Sequence, residues 1–181
     1  MAATSVSRRI EKSIEALSAK DYEGSFVHLF PAIDKTAKKR RPKDSVGARI
    51  KSFISDEEAL ISGVATNNIF RDINVDGVDF PTAIYKFGRT SIVHEGELDE
   101  RLQINDGSVL QIGRIWSLPP SYLTGLIIAV VLSPENVTER IDKELSIQLF
   151  GHKYQLNELW GKIEIIKQRM CELWQNERLF D

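Results

Sequence analysis

Cysteine is nearly absent: Cys171 is the only one in 181 residues. A lone thiol closes no internal disulfide and builds no thiolate metal cluster, so a reducing, cytoplasmic setting is expected. Histidine is also scarce, with three copies. There is no His-Glu-x-x-His, no cysteine pair and no tight carboxylate cluster to ligate a metal. Neither a Walker-type glycine loop nor a dinucleotide fingerprint is present, so no cofactor is expected. Long hydrophobic runs are missing too. The most apolar stretch, Leu123 to Leu132, is about half the length a bilayer-spanning helix needs and reads as a buried core helix. Met1 to Arg9 lacks the apolar centre of a secretory signal, so no membrane association is expected. A charge excess of either sign is absent as well. The net charge of −2 and a sequence pI near 6.0 argue against broad affinity for nucleic acid, but leave room for a local basic site.

What the chain does have is a globular balance, 42% hydrophobic and 28% charged residues, in a length that suits one domain with its own core. Helical stripes dominate. Thr4 or Ser5 caps a first helix carrying Val6, Ile10, Ile14 and Leu17. Asp21 caps a second, with Phe26, Leu29, Phe30, Ile33 and Ala37 on one side and Pro31 expected to kink or interrupt it. The basic run Lys35, Lys38, Lys39, Arg40, Arg41 and Lys43 closes that helix with Pro42. Such a run is a solvated helix end or a phosphate-contacting patch. Ser45 opens a third helix through Val46, Ile50, Phe53 and Ile54, and Ser55 with Glu58 reads as a capping box for a new turn. Gly63 to Asp79 reads as a loop with a short hairpin around Asn74-Val75-Asp76-Gly77.

Pro81 then starts a helix that ends on Gly96. Leu102-Gln103-Ile104 and Val109-Leu110-Gln111-Ile112, joined through Asn105-Asp106-Gly107, read as a β-hairpin. Pro119 and Pro120 open the apolar helix, and Ser133-Pro134 end it. Leu145, Ile147 and Leu149 alternate as a strand with a turn at Gly151-His152-Lys153. Asn157 caps a last helix with Leu159, Ile163, Ile166, Met170 and Leu173. The residues about 145–178 are expected to form an appendage or a dimerisation element on a single domain spanning 1–181.

The helix from Pro81 carries Arg89 and, five residues on, His94. Arginine offers a fixed charge and a fork of donors suited to phosphate. Histidine is the side chain most readily poised for proton transfer near neutral pH. Projected at about 100° per residue, Phe87, Ser91, Ile84, Gly88, Ile92 and Tyr85 share a core arc. Arg89, Val93, Lys86, Thr90 and His94 share the opposite arc. Gly88 on the core arc invites a close helix approach. His28, with Asp34 six residues on, reads as a core or boundary histidine, and His152 as an exposed turn residue. Trp116, Trp160 and Trp174 read as core or interface anchors.

The stretch from Tyr85 to Gly96, Tyr-Lys-Phe-Gly-Arg-Thr-Ser-Ile-Val-His-Glu-Gly, resembles the signature helix of the HEPN superfamily (higher eukaryotes and prokaryotes nucleotide-binding), most closely its ApeA-like branch. Ile84-Tyr85-Lys86 and Ile92-Val93-His94 carry the match. It also resembles uncharacterised bacterial proteins in which a similar helix is followed by His-Glu and later by a segment like Trp116 to Pro119. The resemblance implies a mainly α fold, a HEPN-like helical bundle with one or two small β-hairpins, that pairs two such helices across a homodimer. It implies metal-independent RNA cleavage by Arg89 and His94, supported by Lys86, Thr90 and Glu95, in a stress, toxin or phage-defence setting with an antitoxin or partner protein. Thr90 stands where many active members carry Asn, Asp or His, and Glu95 follows the histidine directly. The other expectations are a catalytically silent module of the same fold, binding RNA, nucleotide or a partner protein, and a structural helical dimer. In the RNA-binding versions, Lys38, Lys39, Arg40, Arg41 and Lys43 are the expected backbone contacts.

Overall fold

The computed structural model describes residues 4–181; the first three residues of the Met1 to Arg9 stretch lie outside the described residues. The fold is mainly helical, with small two- and three-stranded sheets. Helix α1 (Ser5–Ser18) is capped by Thr4, whose hydroxyl accepts the Val6 N–H. It packs along α2 (Tyr22–Arg40), which Asp21 caps at the Gly24 amide. Of the two outcomes expected at Pro31, a kink or an interruption, the interruption does not occur, and α2 runs through it. A helical proline frees the carbonyl four residues back, here that of Val27. Val27 is on the solvent side, 41% exposed, so water can satisfy that carbonyl.

Helix α3 (Val46–Asp56) starts at Ser45 as expected. The capping box of Ser55 with Glu58 does not form. Ser55 stays inside α3, and α4 (Glu58–Thr66) begins after Glu57, which gives no side-chain cap. Helix α4 also absorbs Gly63, moving the start of the loop to Asn67, a left-handed cap residue. The short hairpin is where the turn residues put it. β1 (Asn74–Val75) pairs antiparallel with β2 (Val78–Asp79) across Asp76 and Gly77, both at positive φ.

At the centre lies α7 (Ser121–Leu132), buried on every side from Gly125 to Leu132. It packs on α4, α2 and α1. Gly125 allows the closest of these approaches: a Cβ there would sit 2.6 Å from the Ile61 carbonyl oxygen. The hairpin expected between 102–104 and 109–112 is replaced by a three-stranded sheet. β3 (Leu102–Ile104) pairs parallel with β5 (Trp116–Leu118), and β4 (Gln111–Ile112) pairs with the other edge of β5. Burial decides this, because Trp116 and Leu118 are fully buried and draw their strand between the other two. The Asn105 side-chain amide meanwhile bonds the Val109 carbonyl and Ser117 Oγ, holding the intervening loop open.

β6 (Ser146–Leu149) and β7 (His152–Gln155) form a hairpin that turns at Phe150 and Gly151, both at positive φ, so His152 and Lys153 belong to the strand and not to the turn. The last expected helix is broken in two. α8 (Leu156–Leu159) stops before Gly161, at positive φ, and α9 (Ile163–Leu173) follows. Asn157 is not a cap; its amide bonds the backbone N–H and carbonyl of Ile141. Ile163, Ile166 and Met170 join the same buried cluster as α7, while Leu173 is 49% exposed. No helix among the described residues is long and apolar enough to cross a membrane.

Candidate functional site

Asp79 starts the motif helix by accepting the Thr82 N–H at 2.7 Å, with Pro81 in its first turn. It runs as α5 (Phe80–Ala83), a π-helical segment Ile84–Thr90, and α6 (Ser91–Glu95), and closes on Gly96 at φ 84°. The core arc is as projected: Ile84, Phe87 and Gly88 are buried, and Lys86, Val93 and His94 are exposed. Gly88 is required by its neighbour, since a Cβ there would lie 2.8 Å from the Phe30 ring of α2.

The π segment alters the projection at Arg89 and Thr90, both half-buried. Its i→i+5 bonding makes each turn wider than an α turn. Residues five apart come nearly into line, and Arg89 swings toward the side of buried Ile84. Arg89 is accordingly half-buried, its guanidinium over the Tyr85 ring at 5.6 Å from the centroid. The Tyr85 ring is in turn wedged at the first turn of α3, where a Cβ on Gly47 would meet its hydroxyl at 3.0 Å. His94 lies beyond the π segment in an open turn. Among the described residues neither Arg89 nor His94 is in an ion pair, Thr90 is half-buried and Glu95 is exposed. Within one chain only His94 of the pair is fully presented to solvent, and none of the described cavities is lined by both.

The basic run is mostly committed to internal partners. Arg40 bonds Glu57 at 2.8 Å, Asp56 at 3.0 Å and Glu135 at 2.9 Å, and covers the Phe53 ring. Arg41 holds both oxygens of Asp56. Lys39 bonds the Glu135 carbonyl and Asn136, and Lys35 bonds Ser5. Lys38 and Lys43 are exposed and without an ion pair among the described residues. Most of the run therefore ties the end of α2 to α3 and to the turn after α7.

His28 is half-buried, its Nδ1 at 3.2 Å from the Arg9 guanidinium, and burial followed by the Arg9 charge pushes its pKa down. His152 is exposed beside Tyr154. Trp116 and Trp160 are fully buried, and Trp174 packs edge-on against Phe150. No group of three or more His, Cys, Asp or Glu among the described residues could hold a metal ion.

Sequence reasoning missed two features. Glu57 and Glu58, at the α3–α4 junction, are both 4% exposed, and each keeps one oxygen without a partner. Burial pushes both carboxyls up, against the pull of Arg40 on Glu57 and of the Asp72 and Ile73 amides on Glu58. Their place among Ile54, Leu60 and Ile61 was the available signal. The second is Arg101, whose guanidinium lies 4.2 Å from the centroid of Phe87, on the motif helix itself. Nothing in the local sequence announces that contact, because the chain must first turn back past Gly96 to make it.

A family model described as Rv1289 matches residues 5–179. Uncharacterised proteins of Mycobacterium bovis and Mycobacterium tuberculosis are each 23% identical to this chain over 180 residues, covering 87% of it and 83% of their own length. No solved structure matches.

Proposed function

The chain belongs to the Rv1289 family, and from its motif helix we propose that it is a HEPN-like helical protein in which Arg89 and His94 cleave RNA without a metal. The observation that carries this reading is the motif helix: one continuous helix holds an arginine steadied on an aromatic ring and, past a π segment, a histidine on a solvent-facing turn that is in no ion pair among the described residues. π segments occur preferentially at functional sites. In the reaction a ribose 2′-hydroxyl loses its proton and attacks the adjacent phosphorus, forming a 2′,3′-cyclic phosphate as the P–O5′ bond breaks and the departing 5′-oxygen takes up a proton. His94 acts as general base or acid according to its protonation. Arg89 stabilises the charge that builds on the non-bridging oxygens. DNA lacks the nucleophile and is spared.

A homodimer supplies what one chain lacks. Two motif helices facing each other bring together two histidines, one as base and one as acid, and form a cleft between the copies. Exposed Val93 on the same helix gives that face an apolar contact, and Ile165 and Leu173 do the same for the outer side of α9. Lys38 and Lys43 are the cations of the basic run left for RNA backbone; Lys39, Arg40 and Arg41 contribute less because they are already partnered. On this reading the protein works in a stress, toxin or phage-defence setting with an antitoxin or partner protein.

A second reading is a catalytically silent module of the same fold. The observation in its favour is that no residue of the same chain orients His94 by a hydrogen bond among the described residues. Cleavage of single-stranded RNA with chelator present separates the two. The active reading expects Arg89→Ala and His94→Ala each to lower the rate by about 10²–10⁴-fold. Cleavage that needs a divalent ion, or that survives both substitutions, would sink the mechanism, while RNA binding without cleavage selects the second reading.

A further inference from the structure

Beside the motif helix, on the edge of the three-stranded sheet, lies a groove of about 530 Å³ lined by Glu100, Arg101, Gln103, Arg114 and Ile115. Its central feature is the way Arg101 is held. The guanidinium lies over Phe87, and Asp99 fixes it from the side, with Nε donating to Oδ1 at 2.7 Å. Asp99 is itself well placed: its N–H donates to the Phe87 carbonyl, and the paired arginine holds its carboxyl down to about 2. One face of the guanidinium is therefore spent on the ring, while the side chain remains 47% exposed. A planar cation fixed in orientation, with its other face open, is a stacking surface for a nucleobase.

The rest of the groove supplies what a nucleotide needs around its base. Ile115, 46% exposed, gives an apolar wall beside the stack. Arg114 is exposed and without an ion pair among the described residues, so its fork is available to a phosphate. Glu100 has no salt bridge among the described residues and can accept from an exocyclic amino group, as carboxylates do from cytosine. The Gln103 amide donates to the Glu100 carbonyl, which ties two of the lining residues together.

We propose that this groove is a nucleotide-binding subsite, in which the base stacks on Arg101 and the phosphate is held by Arg114. It rests on the RNA reading for its purpose, since Phe87 places it on the same helix as Arg89 and His94. It does not rest on that reading for its chemistry, and its ligand is a single pyrimidine or purine nucleotide. The subsite would seat one nucleotide of an RNA strand flanking the cleaved bond.

Titration calorimetry with CMP, cytidine and inorganic phosphate tests it without any catalysis. CMP should bind in a 1:1 ratio per chain. Arg101→Ala and Arg101→Lys should both weaken CMP by about tenfold, because lysine keeps the charge and loses the plane. Arg114→Ala should weaken CMP and leave cytidine unchanged. Circular dichroism of each variant confirms that these exposed substitutions leave the fold in place. No CMP binding at millimolar concentration, full rescue by Arg101→Lys, or phosphate binding as tightly as CMP would overturn the subsite. CMP binding in a protein that never cleaves RNA would refute the proposed activity and keep the subsite.

Discussion

Arg89 shows what a single residue's surroundings add to its identity. Sequence spacing gave it a solvent-facing arc, and the structure lays it on Tyr85 and half-buries it. Glu58 is the opposite case, a charged residue in a place where charge is costly. Its carboxyl is pushed up by burial, so the folded chain holds that proton more tightly than the unfolded chain does. The sign follows from this: the contribution to stability is full below the ordinary carboxylate range and is lost as pH rises through the raised folded value. Glu58→Gln, neutral throughout and still able to accept the Asp72 N–H, should gain on the wild type in urea midpoint between pH 4 and pH 8. An equal difference at both pH values would contradict this. Arg40 is the partner that makes its neighbour Glu57 tolerable. Arg40→Ala leaves that buried carboxylate unpaired and should cost about 3 kcal/mol in denaturant unfolding at neutral pH. A loss under about 0.5 kcal/mol, as for an ordinary surface ion pair, would mean the network does not stabilise the junction.

Among the elements, helix starts were readable where a short polar side chain meets free amides. Thr4, Asp21 and Ser45 cap the helices that follow them as expected, and Asp79, expected to end a loop, caps the motif helix as well. The errors came where two local signals competed. Ser55 lost to the continuation of α3, and the 102–112 hairpin lost to Trp116. The π segment was not legible either, since its wider winding depends on how Tyr85 and Phe87 seat against α3, Arg101 and the core. The α4–α7 contact gives the sharpest test at this scale. Gly125→Ala drives a methyl to 2.6 Å from the Ile61 carbonyl oxygen, a backbone atom that cannot rotate away. The variant should lose about 1–3 kcal/mol, measured by urea unfolding, despite the better helix propensity of alanine. A stabilised variant would show that the two helices can separate without penalty.

For the whole molecule, the buried side chains form one connected cluster from Val6 to Met170. The hairpin and helix at about 145–178 contribute Leu149, Trp160, Ile166 and Met170 to it, and a Cβ on Gly63 of α4 would meet the Met170 methyl at 2.4 Å. Calorimetry should therefore show a single unfolding transition, and Met170→Ala should lower its midpoint as a whole. A separate low-temperature transition affected alone by Met170→Ala would identify 145–178 as an independent appendage. By itself the sequence determined the helical class, most of the caps, the central apolar helix and the face on which Lys86 and His94 lie, because these depend on periodicity and on side chains a few residues apart. Tertiary structure alone decided the order of strands around Trp116, the half-burial of Arg89, the neutralisation of Arg40 and Arg41, and the stacking of Arg101 on Phe87. Apart from Arg89, whose ring partner Tyr85 is four residues away on the same helix, each of these joins residues distant in the chain, and the energy that selects among them comes from desolvation and packing that exist only once the core has closed.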